Sequence, residues 1–340
     1  MSETATTWPL HPYAWQQADW QRLTGLVTTG RLPHALLLAG ASGIGKERFA
    51  RALTARLLCP APTPAALACG QCKSCRLLAA GSHPDLLWLM PETDEKTGKT
   101  AKAIKVDQVR EVVEFAGKSA QLGGWRVVVV TPAHLLNVQA ANALLKTLEE
   151  PGRDTALLLL TPQPMALPAT VRSRCQLLKM PVPALPEALA WLRPQVRDDA
   201  TAQLLLALSQ GAPLAALALR DSDWFAAREK LLQDLVQLRQ RRAAALAVAQ
   251  RWHSLGADNV LTALGSLCED MALVASGAAA VVKHVDLAPI IAATSRALSP
   301  AALLRFRQGL AERQRLLAGN VQGSAVIDAV FTDWVDGAAT

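Results

Sequence analysis

The chain of 340 residues is long enough for two or three domains, each with its own core, and carries a net charge of +7. Hydrophobic residues make up 51%, with Ala and Leu foremost, and aromatics 4%, a balance that favours helix-rich packing. No apolar run approaches the ~18–20 residues of a membrane-spanning helix, and the first fifteen residues lack the basic segment and apolar core of a secretory signal. The expected compartment is the cytoplasm, where disulfides are rare. The positive charge is compatible with nucleic-acid contact, but many basic proteins make none.

Residues 8–24 carry Trp8, Trp15, Trp20 and Leu23 among polar residues, which reads as an anchoring arm and a short helix. Ala35 to Ala39 is a short apolar run expected to form a buried parallel strand. It feeds Gly40-Ala-Ser-Gly43-Ile-Gly45-Lys46, a G-x-x-x-x-G-K pattern, and then a helix with Phe49, Leu53 and Leu57 on one face. Small residues let successive N–H groups turn inward around a phosphate, the helix start adds positive potential, and the lysine reaches the terminal phosphates. Gly40, Gly43, Gly45 and Lys46 are thus the candidate phosphate-binding residues. The next position normally carries the hydroxyl that holds magnesium. Here it is Glu47, whose carboxylate repels phosphate oxygens.

Cys59, Cys69, Cys72 and Cys75 follow as C-x9-C-x2-C-x2-C, among Pro60, Pro62, Pro64 and Gly70. Closely spaced thiolates in a cytosolic chain suit a tetrahedral zinc ion, and four thiolates would close the site, making it structural. The bland alternative is a set of unrelated thiols. Four of the six cysteines within seventeen residues favour the metal. Cys175 and Cys268 are isolated and read as ordinary buried cysteines.

Leu86 to Met90 is the next expected strand, and Pro91 to Lys105 a mobile surface loop. Val106 to Ala116 forms an amphipathic helix with Val109, Val112, Val113 and Ala116 inward, and Trp125 to Val130 another buried strand. In phosphate-loop NTPases such a strand ends in carboxylates that hold magnesium and polarise water. This one ends Thr131-Pro132-Ala133-His134, and His134 reads as a lone surface residue. A helix capped by Asn137 and stopped by Pro151 buries Ala141, Leu144, Leu145 and Leu148. Ala156 to Leu160 is a further strand, followed by Val171-Arg172-Ser173-Arg174-Cys175. Alternating strands and helices over residues 1–178 predict a three-layer α/β domain with a mainly parallel sheet. Residues 179–220 read as a small helical lid and 221–340 as an all-helical domain, with breaks at Gly256, Gly265, Gly277 and Pro289.

The phosphate loop, the four-cysteine insertion after its helix, Asn142-Ala-Leu-Leu-Lys146-x-Leu-Glu-Glu-Pro151 and Ser173-Arg174-Cys175 together resemble the bacterial DNA polymerase III clamp-loader family. The resemblance covers the first two domains closely and the third by length and helical character. It implies an AAA+-like nucleotide-binding fold in residues 1–178 with the zinc module at 59–75, a lid, and a C-terminal collar domain. ATPase members of that family have a full phosphate loop, an acidic strand end and a lid-helix arginine in G-S-x-R-x-A-L. The matching segment here is Gly211-Ala-Pro-Leu214-Ala-Ala-Leu217, with Leu214 at the arginine position. With three parts of one site absent, the resemblance is to the non-hydrolysing delta-prime type. ATP at the chain's own site is doubtful, though Lys46 leaves weak phosphate binding open.

In that family the Ser-Arg-Cys arginine crosses a subunit interface toward the neighbour's ATP, where a guanidinium stabilises charge on the transferring phosphoryl group. The resemblance therefore implies Arg174 as an arginine finger acting in trans, with Arg172 a weaker candidate. The plainer alternative is an arginine that pairs with a surface carboxylate or caps a strand end. Expected partners are the gamma/tau-type and delta-type subunits of a hetero-pentamer and, through the complex, the sliding clamp and primer–template DNA. Two rivals remain open. One is an active ATPase subunit that tolerates Glu47 and Thr131. The other is a zinc-dependent nucleic-acid binder using Lys96, Lys99, Lys102, Lys105 and Arg110, a cluster that is more often a solvated loop.

Overall fold

The computed structural model describes residues 8–94, 100–295, 298–317 and 321–337. The chain forms two compact units, one running to Glu187 and the other starting at Ala188.

The first unit is a parallel α/β sheet. Its strands are β1 Ala35–Ala39, β2 Leu86–Leu89, β3 Arg126–Val130, β4 Thr155–Thr161 and β5 Gln176–Lys179, in spatial order β2-β3-β4-β1-β5. Every pairing is parallel. β1, β3 and β4 are buried at every position, as continuous apolar runs covered on both faces must be. In register, Leu37, Leu159 and Val130 share one face, which packs on α4 Val106–Ala116 and α5 Val138–Glu149 through Val109, Val112, Leu144 and Leu148. α2 Lys46–Leu58 packs on β3 and β4, and its Phe49 meets Trp20 of α1 Gln17–Thr28 edge-on, with ring centroids 5.9 Å apart. Asn137 caps α5 as expected, its Oδ1 accepting the Ala140 N–H over 2.8 Å. Within the stripe predicted for α4 and α5, Val113 and Leu145 are only half-buried.

The segment 91–105 is more ordered than a free surface loop where it is described: Thr93 bridges Thr100, and Ile104 is fully buried. Lys96 and Lys99 lie outside the described residues.

The second unit is helical. α7 Leu185–Leu192, which begins just before it, joins α8 Asp199–Leu208 and α9 Pro213–Arg220 around Ala188, Leu192, Leu205 and Ala216. A larger core assembles α10 Asp223–Arg239, α11 Ala245–Trp252, α12 Ala257–Ala275, α13 Ala288–Ser295, α14 Pro300–Leu317 and α15 Gly323–Gly337. One expected break, Gly265, is corrected, while Pro289 does fall at a helix start. Gly265 lies inside α12, where Leu261, Leu264, Leu267 and Cys268 are buried around it and outweigh the ~1 kcal/mol that glycine costs a helix. Pro289 is the second residue of α13, where a helix loses no hydrogen bond to proline. Among the described residues no single helix is long and apolar enough to cross a membrane.

Candidate functional site: phosphate loop, thiol cluster and Arg174

The phosphate loop sits where β1 hands over to α2. Gly40 is required by close approach, since a Cβ there would lie 2.3 Å from the Met180 carbonyl oxygen and 2.6 Å from Ile44 Cδ1. Gly45 is required twice over. Its φ is +91°, and a Cβ would lie 2.5 Å from the Tyr13 ring. Lys46 Nζ donates to the Gly40 and Ala41 carbonyls, each over 2.8 Å, so the lysine is folded onto its own loop. Burial lowers its pKa to about 8.

The N-terminal arm closes over this loop. Trp15 Nε1 and Gln16 Nε2 both donate to the Ile44 carbonyl, over 3.0 and 3.1 Å. Tyr13 stacks on Trp15 with centroids 4.5 Å apart, and the Arg48 guanidinium lies over the Tyr13 ring. Trp8 donates to the Arg51 carbonyl, and the Arg51 guanidinium sits over both the Trp8 and Trp88 rings at 4.8 and 4.5 Å. Arg51 also engages Glu47, whose Oε1 accepts from Nη2 over 2.8 Å.

At the end of β3, His134 is not a lone surface residue. It is half-buried, and its Nδ1 shares a hydrogen bond with Thr161 Oγ1 over 3.2 Å at the end of β4. Burial, and then the nearby Lys46 charge, hold its pKa down. A neutral imidazole beside an ammonium thus stands near the loop, where a hydrolysing site would gather carboxylates. Leu214, at the position matching a lid arginine, is a half-buried residue of α9.

The four cysteines converge. Their sulfurs all lie within 4.8 Å of one another, with Cys59–Cys72 and Cys69–Cys75 each at 4.0 Å. A tetrahedral zinc ion with bonds of about 2.3 Å would set these separations near ~3.8 Å, so the thiols fit with a small contraction. Main-chain donors already face the sulfurs: Cys69 N–H donates to Cys59, Cys72 N–H to Cys69, and Cys75 N–H to Cys72, each over 3.4 Å. The Gln71 and Cys72 N–H groups bring the Cys69 thiol down to about 6, while burial pushes Cys59 and Cys75 up. The module is pinned from below. Ser74 Oγ donates to the Leu58 carbonyl over 2.7 Å and His83 Nε2 donates to Ser74, a direction fixed because His83 Nδ1 accepts the Asp85 N–H. Cys268 is buried as expected, but Cys175 is only half-buried.

Arg174 lies between α6 Ala169–Arg172 and β5, two residues before β5 begins at Gln176. Its Nε donates to Glu149 Oε1 over 2.7 Å, Nη2 donates to the same oxygen, and Nη1 donates to the Thr170 carbonyl over 2.9 Å. Arg172 instead turns to the exposed Met165, donating from Nη1 to its sulfur. Arg174 thus has the surface-carboxylate partner of the plainer alternative, Glu149, while the Arg51 partner of Glu47 and the arm over Ile44 went unforeseen. Only Glu47–Arg51 had a local signal, the i,i+4 spacing of an acid before a base.

The sequence matches the protein family described as DNA polymerase III, delta subunit, over residues 15–184, and the family described as DNA polymerase III, delta subunit, C terminal, over residues 222–323. A DNA polymerase III subunit delta' of Pseudomonas aeruginosa is 45% identical over 245 residues, 72% of each chain. A subunit of the same name from Escherichia coli K12 is 40% identical over 299 residues, 86% of this chain and 85% of the relative. A DNA polymerase III subunit tau from E. coli K12 is 36% identical over 149 residues, 44% of this chain and 22% of the relative.

Proposed function

The chain belongs to the family of DNA polymerase III delta' subunits, and on that premise we propose that it works in the clamp loader as a non-hydrolysing stator that lends Arg174 to a neighbouring ATPase subunit. The observation that carries this reading is a disabled site of its own in a chain that keeps a half-exposed Arg174. Glu47 occupies the hydroxyl position and is bound to Arg51, β3 ends without a carboxylate, and Leu214 fills the lid-arginine position. Lys46 caps its own loop carbonyls, and Gln16 and Trp15 hold the Ile44 carbonyl. Gly40, Gly43, Gly45 and Lys46 keep the form of a phosphate site without the parts that hydrolyse.

In this reading residues 1–178 are the AAA+-like domain, 179–220 the lid and 221–340 the collar that joins the ring. The separate small core around Ala188, Leu192 and Leu205 supports a lid distinct from the larger helical core. The Cys59, Cys69, Cys72 and Cys75 thiols hold a structural zinc ion. The partners are gamma/tau-type and delta-type subunits in a hetero-pentamer in the cytoplasm, which opens the sliding clamp and loads it on primer–template DNA. Size-exclusion chromatography with those subunits tests assembly. Co-elution in one stoichiometric complex is expected, and separate elution would refute the stator role.

A further inference from the structure

We propose that Glu149 is the positioning residue that presents Arg174 to the neighbouring subunit's phosphate. The inference rests on the finger reading of Arg174 and names what orients it. A guanidinium has five N–H donors fixed in one plane. Glu149 Oε1 takes one from Nε and one from Nη2, and the Thr170 carbonyl takes one from Nη1. That leaves one N–H on each terminal nitrogen. Each of these two N–H groups is a donor that a phosphate oxygen can take. The Arg174 side chain is 33% exposed, so Glu149 and Thr170 do not enclose it fully.

The groups that hold Arg174 are themselves anchored. Glu149 is the last residue of α5, directly after the buried Leu148, and α5 is capped at its start by Asn137. Thr170 belongs to α6, whose Val171 is fully buried. Glu149 and Arg174 are 25 residues apart in sequence, so the pair joins the end of one helix to the turn after another. An ion pair this exposed adds little to stability. Its value lies in removing rotamer freedom from a long side chain before the neighbour arrives, which is where an orienting contact lowers a barrier. The carboxylate also offsets part of the charge that Arg174 would deliver. An acceptor oxygen is therefore what the site needs, and the negative charge is not.

Glutamine keeps that oxygen at the same reach and loses the charge, whereas aspartate keeps the charge and loses the reach. The test measures kcat and KM for ATP in a reconstituted loader with clamp and primed DNA, using wild type, Glu149→Gln, Glu149→Asp, Glu149→Ala, Arg174→Ala and the double alanine variant. Glu149→Ala and Glu149→Asp are expected to lower kcat roughly tenfold with KM unchanged, because the contact acts on the transition state. Glu149→Gln should restore most of the turnover, and the double variant should match Arg174→Ala. If Arg174→Ala is slow while Glu149→Ala and Glu149→Asp turn over like wild type, the positioning role is wrong and the finger stands. The same conclusion follows if Glu149→Gln is as slow as Glu149→Asp. Wild-type turnover in Arg174→Ala overturns the finger reading and this inference with it.

Discussion

Glu47 Oε1 lies 2.8 Å from Arg51 Nη2, one helical turn further along α2. The carboxylate that replaces the loop hydroxyl is thereby engaged in the surface of its own helix, and Arg51 is held in turn by the Trp8 and Trp88 rings. Glu47 is thus a structural part of the arm–helix contact.

Restoring the hydroxyl alone will not restore hydrolysis. Glu47→Thr is expected to leave ATP turnover by the isolated chain at background, because Thr131-Pro132 and Leu214 remain. Losing the half-exposed ion pair should cost at most about 0.5 kcal/mol, read from urea unfolding. Turnover that appears with this single change would show that the strand end and lid are competent.

Lys46 carries a pH signature. Burial holds its folded pKa at about 8, against 10.5 for the free side chain. Below about 8 both states are protonated and the cost of burying the charge is constant. Between about 8 and 10.5 the unfolded chain still holds a proton that the folded chain has released, so this group makes stability rise with pH. Unfolding midpoints of wild type and Lys46→Met, compared across that window, should move in the wild type's favour. A pH-independent difference would mean that the lysine is solvated rather than folded onto Gly40 and Ala41.

The thiol cluster should bind one metal ion per chain. Elemental analysis of the purified protein is expected to give one zinc, and Cys69→Ser or Cys72→Ser to remove it. Because the four ligands lie within residues 59–75, metal loss should expose that excursion to proteolysis while assembly with partner subunits persists. Loss of assembly on chelation would instead make the metal part of the interface.

In the helical unit, fully buried Asp270 accepts the Lys283 and His284 N–H groups and bonds His284 Nδ1 over 2.7 Å. Asp270→Ala leaves those groups unpaired in the core and should cost about 3–5 kcal/mol in urea unfolding. A loss under about 1 kcal/mol would mean that water replaces the carboxylate.

Periodicity made the scaffold legible. The apolar spacing of residues 106–116 defined α4, and the Gly40–Lys46 pattern put β1 and α2 on either side of the loop, because both signals are local. Gly265 misled because Leu261, Leu264, Leu267 and Cys268 of α12 are buried in a core shared with other helices, and that packing has no local signal. Arg174–Glu149 spans 25 residues and Trp15–Ile44 spans 29, and no spacing rule reaches that far. The phosphate-loop and cysteine patterns were therefore legible, while the contacts that Glu47 and Arg174 make were not.

The central claim, that this chain completes a neighbour's site and does not run its own, is tested most directly by clamp- and DNA-stimulated ATPase of the reconstituted loader carrying Arg174→Ala or Lys46→Ala in this subunit. A strong loss with Arg174→Ala and wild-type turnover with Lys46→Ala is the predicted result. A strong loss with Lys46→Ala and none with Arg174→Ala would make the chain a motor and contradict the account.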